Sequence, residues 1–276
     1  PLGYSDAFVP VDTEAVDPEA ERRVAGWVRE HRLDAVVSTD GDGDRPLLAD
    51  EEGTFIRGDL LGMLAARRLG ADGVATPISS NTALEMSGWV ARVRRTRIGS
   101  PFVIDAMQTL ASEGARIPVG YEANGGFLLG GPVMGPGGVA IDPLPTRDAM
   151  LPVIAVLAAA GQGGLPLSAL RRQAPRRVTA SDRLQDVPAE ASAPFLTAVA
   201  QDPSVQASLL APLGAPTVRA VDTLDGVRLT LDSGDIVHLR ASGNAPELRC
   251  YAEAETAEGA NRLVQCVMRS AAGLLV

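Results

Sequence analysis

Apolar residues recur at two different spacings along the first part of the chain. In residues 18–31, Val24, Trp27 and Val28 fall on one helical face, and Asp17-Pro18 before them is typical of a helix start. Residues 33–39 (LDAVVST) form an apolar, β-branched run that predicts a buried strand. The same patterns predict helices at 59–69, 81–91 and 100–112 and strands at 73–77, 94–98 and 117–121.

The alternation of these strands and helices indicates α/β layers with a largely parallel sheet, but the pattern changes after about residue 175. Residues 173–194 are rich in Arg, Pro, Ser and Asp, which favours a linker. Four strand-like runs and a closing helix then follow, at 217–222, 226–231, 235–241, 247–253 and about 256–272. The sequence therefore predicts an α/β fold with layered mixed sheets and helices on both faces, followed by a small α+β C-terminal domain.

Composition narrows the classes of function. The 276 residues include 25 Lys and Arg against 34 Asp and Glu, so the net charge is −9. Nucleic acids and membrane surfaces both call for clustered positive charge, so neither is an expected partner. Two cysteines, Cys250 and Cys266, make no disulfide framework and suit a reducing, cytoplasmic setting. The longest apolar run, 151–160, is too short to span a bilayer.

The acidic loop, residues 40–45 (DGDGDR), directly follows the predicted strand at 33–39. Its carboxylates, Asp40, Asp42 and Asp44, would repel one another unless a hard divalent cation took them as ligands. One alternative is a solvated acidic turn. Another is a calcium loop with Glu51 at its twelfth position, although Arg45 then stands where such a loop needs glycine. A Mg²⁺ site at the carboxyl end of a strand is the favoured interpretation.

The Glu122 loop, residues 120–126 (GYEANGG), ends another predicted strand. It offers a carboxylate on Glu122 and an amide on Asn124, an acceptor and donor combination that suits neighbouring hydroxyls of a sugar. Taken alone, this signal is weak, and a glycine-rich turn with a surface glutamate explains it better.

The arginine loop, residues 240–246 (RASGNAP), concentrates hydrogen-bond donors and has Arg249 close behind it. Hydroxyl, amide, backbone N–H and guanidinium groups without a nearby acid suit a phosphate dianion. Glu247 is the exception, because it would share a strand face with Arg249 and could pair with it. A plain hairpin is the alternative.

Together the three loops suggest an enzyme that acts on a sugar phosphate, and they resemble those of the α-D-phosphohexomutase superfamily, closest to its bacterial phosphomannomutase/phosphoglucomutase family. The family's D-G-D-G-D-R pattern is matched in full at 40–45. Its G-E-x-S-G-H pattern keeps Glu122 but has Asn124 for Ser and Gly126 for His. Its R-x-S-G-T-E-P pattern keeps Arg240, Ser242, Gly243 and Pro246, with Asn244 for Thr and Ala245 for Glu. Arg97, in TRIG, resembles a T-K-x-G stretch that helps to bind substrate.

The resemblance implies a division of the chain into three parts of a four-domain enzyme. Residues 1–57 would end the second domain, 58–175 would form the third, and 176–276 would form the linker and the fourth. The first domain, with its phosphorylated serine, would be missing, so we expect this chain alone to be inactive. Ser181, in a T-A-S-D stretch without the family's His-Asn-Pro continuation, is not expected to replace that serine.

The resemblance also implies a mechanism and a set of residue roles. A phosphoserine and a hexose 1,6-bisphosphate, which also serves as activator, would interconvert the 6- and 1-phosphates of mannose or glucose. One Mg²⁺ would lie on the three aspartates, and Arg45 would contact the transferred phosphate as the catalytic residue. The remaining substrate contacts would come from Arg97, Glu122, Asn124, Arg240, Ser242, Gly243, Asn244 and Arg249.

Two alternatives stay open at this point: a non-catalytic module that binds a sugar phosphate or metal, and a phosphoglucosamine mutase. The oligomeric state is open as well. Outside the three loops, His238 is expected to be a hydrogen-bonded strand residue. The basic cluster Arg171, Arg172, Arg176 and Arg177 is expected to be a solvated face of the linker.

Overall fold

The computed structural model describes residues 1–3, 6, 11–14, 16–243 and 245–275. These form two compact units, Pro1–Pro175 and Arg176–Val276. Within the described ranges, no helix is both long and apolar enough to cross a membrane.

The first unit opens with a helix on a three-stranded antiparallel sheet. Its elements are α1 (Pro18–His31), β1 (Ala35–Thr39), β2 (Pro46–Asp50) and β3 (Phe55–Ile56). The side chain of Asp17 accepts a hydrogen bond from the backbone N–H of Glu19, which is why α1 begins where the sequence predicts. Helix α1 packs Val24 and Val28 against Ala49 of β2.

The prediction of a buried strand at 33–39 within a parallel sheet is wrong. Strand β1 pairs with β2 in antiparallel register, from Ala35↔Asp50 to Thr39↔Pro46, and Val37 is 44% exposed. The apolar run marks a half-covered edge strand of the small sheet. The acidic loop is therefore the turn of a β1–β2 hairpin rather than a loop at the carboxyl edge of a parallel sheet.

A five-stranded mixed sheet forms the second layer of this unit. Its order is β10-β7-β6-β4-β5, with β6, β4 and β5 parallel and with β7 and β10 antiparallel. Helix α4 covers one face, and α2 and α5 belong to the core on the other. The elements are α2 (Gly58–Leu69), β4 (Gly73–Pro77), α3 (Ala83–Ser87), β5 (Arg92–Thr96), α4 (Ser100–Ser112), β6 (Pro118–Tyr121), β7 (Phe127–Leu129), β8 (Val133–Met134), β9 (Ala140–Ile141), β10 (Leu144–Asp148), α5 (Met150–Gly163) and α6 (Leu167–Arg171).

The helix predicted at 81–91 is much shorter than expected. The N-cap residue is Thr82, whose side chain makes no capping hydrogen bond, and Oδ1 of the preceding Asn81 accepts from the backbone N–H of Ala83 at 3.0 Å. Gly88 ends the helix after Ser87, because it adopts the left-handed conformation and donates its N–H to the carbonyl of Glu85.

The two layers of the first unit share one hydrophobic core. Leu48 of β2 and Ile56 of β3 are almost fully buried in the same apolar cluster as Leu64 of α2 and Val156 of α5. An ion pair adds to this contact, because Arg171 Nε of α6 lies 3.1 Å from Oδ2 of the buried Asp50. The small sheet is thus part of the core of the unit.

The second unit is an antiparallel five-stranded sheet, ordered β11-β15-β14-β13-β12, with helices packed on one face. The four strands and closing helix predicted here are confirmed within about two residues. The elements are β11 (Val178–Leu184), α7 (Ala189–Gln201), α8 (Pro203–Leu210), β12 (Val218–Asp222), β13 (Val227–Leu231), β14 (Ile236–Ala241), β15 (Leu248–Ala254) and α9 (Ala257–Leu274).

The prediction of a linker at 173–194 is wrong. The division into domains placed the same linker at the start of 176–276, and that part of it is wrong as well. Strand β11 pairs with β15 over seven residues, from Val178↔Ala254 to Leu184↔Leu248, and α7 begins at Ala189. This is an edge strand, and charged and polar residues are common on such strands because they discourage edge-to-edge pairing. Its polar composition was therefore misleading.

The basic cluster is also not a solvated linker face. Arg171 is paired with Asp50, Arg172 with Glu52, and the almost fully buried side chain of Arg177 with Glu253. Arg172 and Arg176 are exposed, so only part of the cluster is solvated.

Candidate functional site

The acidic loop is closed by its own backbone. The Asp40 N–H donates to the carbonyl of Arg45 at 3.1 Å, and the N–H of Arg45 donates to Oδ1 of Asp40 at 3.1 Å. Gly43 allows the tight turn between them, since its φ is +79°. As a result, one ligand atom from each of Asp40, Asp42 and Asp44 lies within 4.8 Å of the others.

This donor set fits a hard divalent cation. Oδ1 of Asp44 is buried and has no hydrogen-bond partner among the described residues. The Nε of Arg45 lies 3.6 Å from Asp40 and 3.7 Å from Asp44, which are ion-pair distances too long for hydrogen bonds. Three carboxylate oxygens at this spacing, one of them without a donor, are the ligands that Mg²⁺ or Ca²⁺ takes.

The Glu122 loop is a tight turn in which the carboxylate of Glu122 is held in place. The side chain of Glu122 is 6% exposed, and its Oε2 accepts from the hydroxyl of Ser100 at 3.2 Å. The Oδ1 of Asn124 accepts the backbone N–H of Gly126 at 3.0 Å, so that oxygen serves the loop itself. Glu122 is therefore preorganised as an acceptor, and Asn124 retains its amide N–H groups for a ligand.

Arg97 lies in the loop between β5 and α4, which ends at Ser100. Strands β4, β5 and β6 are parallel, so their carboxyl ends bring this loop to the same sheet edge as Glu122. The guanidinium carbon of Arg97 stacks over the ring of Phe102 at 4.8 Å from its centre, and the Arg97 residue is exposed.

Arg147 joins the first two loops, and the sequence analysis missed it. Its Nε lies 2.8 Å from Oδ2 of Asp44, and its Nη1 lies 3.8 Å from Oε2 of Glu122. The register of the β10–β7 pair is irregular between Leu144 and Asp148, and such irregularities redirect side chains near functional sites. A lone arginine on an edge strand carries no local motif, so only the tertiary structure reveals it.

Glu14 is a second residue without a sequence signal. Burial raises the pKa of its carboxyl group above the usual range; Arg57 opposes this shift, and the charges of Asp12, Asp59 and Glu122 add to it. Its charge is thus coupled to the carboxylate of the Glu122 loop.

The expectation that the arginine loop has no nearby acid is wrong. The Nε of Arg240 donates to Oδ1 of Asp225 at 3.0 Å. The spacing gave no sign of this pair, because Asp225 is on the turn before β13 and approaches Arg240 only through the β13–β14 pairing. Arg240 is consequently oriented before any ligand arrives. Asn244 lies outside the described residues.

Glu247 lies between two arginines of the sheet. The Nη2 of Arg249 donates to Oε2 of Glu247 at 3.1 Å, and Nη1 of Arg183 lies 3.5 Å from its Oε1. Arg183, Arg249 and Arg240 are directly opposite one another on β11, β15 and β14. Like charges in such a row repel, and an anion would reduce that repulsion.

A cavity of about 390 Å³ adjoins this loop. Residues 187–190 and Ser192, around the start of α7, line it together with residues 241–243 and 245–247. The N–H of Val187 donates to the carbonyl of Pro246 at 2.8 Å, which fixes the two walls together. The acidic and Glu122 loops thus meet in the first unit, whereas the arginine loop lies in the second.

Two family models of known proteins match most of this chain. Residues 57–178 match the model for phosphoglucomutase/phosphomannomutase alpha/beta/alpha domain III, and residues 169–270 match that for the phosphoglucomutase/phosphomannomutase C-terminal domain. Together the two models cover residues 57–270.

Curated relatives extend the match to nearly the whole chain. A phosphomannomutase of Salmonella muenchen is 44% identical over 269 residues, which are 97% of this chain and 55% of the relative. A phosphoglucosamine mutase of Cereibacter sphaeroides is 33% identical over 247 residues, 86% of this chain and 46% of the relative. The chain thus spans about half the length of the curated relatives it matches.

Solved structures share the fold. A phosphoglucomutase/phosphomannomutase family protein of Burkholderia thailandensis has a TM-score of 0.66 at 20% identity, over 96% of this chain and 51% of that one. An Aspergillus fumigatus N-acetylphosphoglucosamine mutase, solved with GlcNAc-6P and magnesium, has a TM-score of 0.59 at 18% identity, over 91% of this chain and 52% of that one. With its matched domains and its complete D-G-D-G-D-R hairpin, the chain belongs to the phosphoglucomutase/phosphomannomutase family of the α-D-phosphohexomutase superfamily.

Proposed function

We propose that this chain forms the cation, sugar and phosphate sites of a mutase that interconverts hexose 6-phosphate and hexose 1-phosphate, with mannose or glucose as the sugar. The observation that carries the proposal is the acidic hairpin, in which three aspartate oxygens lie within 4.8 Å of one another. The 44% identity to a phosphomannomutase over 97% of the chain supports the choice of substrate class.

In this proposal, the acidic loop holds one Mg²⁺ through Asp40, Asp42 and Asp44. A bound cation neutralises negative charge on a transferred phosphoryl group. Arg45 binds an oxygen of the same group, because its Nε is buried next to the aspartates without a hydrogen-bond partner among the described residues. Its role is to stabilise charge at a fixed position, which requires no covalent step of its own.

The other two loops bind the parts of the substrate that do not react. Glu122 accepts hydrogen bonds from sugar hydroxyls, Asn124 donates to them, and Arg97 contributes positive charge at the same sheet edge. Arg240, Ser242, Gly243, Asn244 and Arg249 bind the phosphate that is not transferred. An N–H group at the start of α7 adds favourable partial charge beside the cavity of the arginine loop.

We assign the serine that carries the phosphoryl group to the part of the relatives that lies outside the match. We therefore expect no turnover by these 276 residues alone. Hexose 1,6-bisphosphate would act as the activator that primes this serine. We also propose that residues 1–57, 58–175 and 176–276 belong to three successive domains of the complete enzyme, the first two of which share one core in this structure, and that the protein works in the cytoplasm.

The test is a turnover assay on the product of the complete reading frame, with Mg²⁺ and hexose 1,6-bisphosphate, using mannose, glucose and glucosamine phosphates in parallel. We expect turnover of the mannose or glucose phosphates that the Asp42→Asn variant loses. Preferential turnover of the glucosamine phosphate would assign the protein to the weaker-matched class. Binding of sugar phosphates without any turnover would instead support a non-catalytic binding module.

A further inference from the structure

The Glu122 loop departs from the family pattern at Gly126, and the structure shows what occupies the space beside that residue. A Cβ atom built on Gly126 would lie 2.6 Å from Cδ and 2.9 Å from Cγ of Arg147. Gly126 is not among the glycines with positive φ, so its backbone conformation does not require glycine. The absent side chain instead leaves the room in which the stem of Arg147 lies.

The guanidinium of Arg147 contacts the acidic loop and the Glu122 loop through two different nitrogens. Nε lies 2.8 Å from Oδ2 of Asp44, and Nη1 lies 3.8 Å from Oε2 of Glu122. The side chains of Arg147 and Asp44 are 27% and 26% exposed, so water screens this contact only partly. The ion pair with Oδ2 restricts the rotation of the Asp44 carboxylate and thereby the direction of Oδ1, the buried oxygen without a hydrogen-bond partner among the described residues.

We propose that Arg147 is a positioning residue that couples the acidic loop to the Glu122 loop. The inference rests on the proposed function, since it assumes a cation on the aspartates. A cation that fixes Asp44 also fixes Nε of Arg147. The stem then stays against Gly126, and Nη1 stays beside Glu122, so the sugar-binding carboxylate becomes ordered when the cation binds. Lysine cannot replace this bridge, because one ammonium group lacks the planar fork that spans two carboxylates.

The test is hydrogen exchange measured by mass spectrometry on this chain, with and without saturating Mg²⁺. In the unmodified chain we expect Mg²⁺ to slow amide exchange in peptides from both 39–46 and 118–129. In Arg147→Met we expect the slowing at 39–46 to remain and that at 118–129 to be lost. Each variant is compared at its own saturating Mg²⁺ concentration, so a change in cation affinity does not affect the result.

Three further variants make the test specific. Arg116→Met is the matched control, because Arg116 pairs with Asp72 on the surface of the same unit and its side chain is 90% exposed; it should behave like the unmodified chain. Arg147→Lys keeps the charge and should still lose the coupling. Gly126→Ala should reproduce Arg147→Met by displacing the stem, and it should have little added effect in an Arg147→Ala background.

The outcomes distinguish a wrong cation site from a wrong role for Arg147. If Mg²⁺ does not slow exchange at 39–46 in the unmodified chain, the cation site of the proposed function is wrong. If it slows exchange there but not at 118–129, or if Arg147→Met or Arg147→Lys retains both effects, the cation site stands and the role of Arg147 is overturned. An effect of Gly126→Ala as large without Arg147 as with it would also overturn that role.

Discussion

The acidic loop and the arginine loop both bring like charges together, but they balance those charges differently. In the acidic loop, the Nε of Arg45 lies 3.6 to 3.7 Å from two carboxylates, and a buried oxygen of Asp44 lacks a hydrogen bond within the described structure. In the arginine loop, Arg240 and Arg249 already donate to Asp225 and Glu247 at 3.0 and 3.1 Å. The acidic loop therefore keeps a buried oxygen without a donor, although Arg147 also pairs with Asp44 at 2.8 Å, whereas Arg240 and Arg249 each have a carboxylate partner before a phosphate arrives.

This difference indicates two binding strategies. A cation that completes the acidic loop relieves repulsion among the aspartates, so its binding should stabilise the folded chain. A phosphate at the arginine loop must compete with carboxylates that already hold the guanidinium groups. Those pairs orient the arginines, and under the proposed function they would hold the anion less tightly, which would suit a substrate that has to leave.

The largest expected effect is at the acidic loop. Asp42→Asn removes a charged ligand from an exposed position, so we expect a loss of Mg²⁺ affinity beyond the roughly 10- to 100-fold that follows removal of an outer-shell partner. At a Mg²⁺ concentration 100 times its Kd, the unmodified chain should gain about 2.7 kcal/mol of stability, and the variant should gain little. Thermal unfolding with and without Mg²⁺ measures both. A Mg²⁺-induced gain in stability as large in the variant as in the unmodified chain, or larger, would contradict the assignment of the cation to the acidic loop.

A smaller effect is expected at the arginine loop. Arg240→Met should weaken phosphate binding by about 1.5–3 kcal/mol, roughly 10- to 100-fold, because one charge-assisted contact is lost. In the complete enzyme this should appear mainly as a raised KM, since the contact is with the phosphate that does not react. Calorimetry with a hexose phosphate measures it in the chain itself.

The same substitution leaves Asp225, whose side chain is 10% exposed, without its partner. The double variant Arg240→Met/Asp225→Asn is therefore the control for stability. An unchanged hexose phosphate affinity in both variants would count against the phosphate assignment.

A pH effect near the same loop should be smaller still. Burial lowers the pKa of His238, and the nearby charges of Arg228 and Arg240 lower it further, while its contact with the backbone carbonyl of Asp225 opposes the shift. The unfolded chain takes up this proton near pH 6.5, before the folded chain does. Stability is therefore complete above about pH 6.5 and falls as the pH decreases, by at most about 1.4 kcal/mol per pH unit for this group.

Urea unfolding at pH 7.5 and pH 5.5 measures this effect. We expect His238→Gln to reduce the loss of stability between the two pH values. An equal loss in both proteins would show that other groups cause it.

The smallest expected effect is at Ser181, which is exposed on the edge strand β11. Ser181→Ala should change neither the turnover of the complete enzyme nor the Mg²⁺ and phosphate affinities of this chain. Phosphate mapping by mass spectrometry should find no phosphoserine at this position. Phosphorylation at Ser181 together with lost turnover would place the serine within the second unit and would overturn its assignment to the rest of the relatives.

Local signals in the sequence located most elements. Asp17-Pro18 marked the start of α1, because capping and first-turn proline act within a few residues. Strand β11 was taken for a linker, because the pairing that makes it a strand involves β15, far away along the chain. Strand β1 was assigned to the wrong kind of sheet for a different reason, because its place between two helical segments resembles an α/β pattern, whereas it forms an antiparallel hairpin with the next strand, β2.

The candidate functional site could likewise be recognised from the sequence only where its residues lie in one short segment. The acidic loop could be recognised because one short segment carries all of its ligands. Arg147 could not be recognised, because its contacts with Asp44 and Glu122 and the room left for its stem by Gly126 exist only in the folded chain. The pairing of Arg240 with Asp225 was missed because it too depends on how two strands align.

The shared core of the first unit has a consequence for cutting the protein into pieces. The matched domain III begins at residue 57, just after Leu48 and Ile56 have contributed two of the best-buried side chains to its core. A fragment that starts there would expose the apolar surface those residues cover and would separate Arg171 from Asp50. The matched domain is thus shorter than the compact unit, so a fragment meant to keep this core has to begin before residue 57 and include β2 and β3.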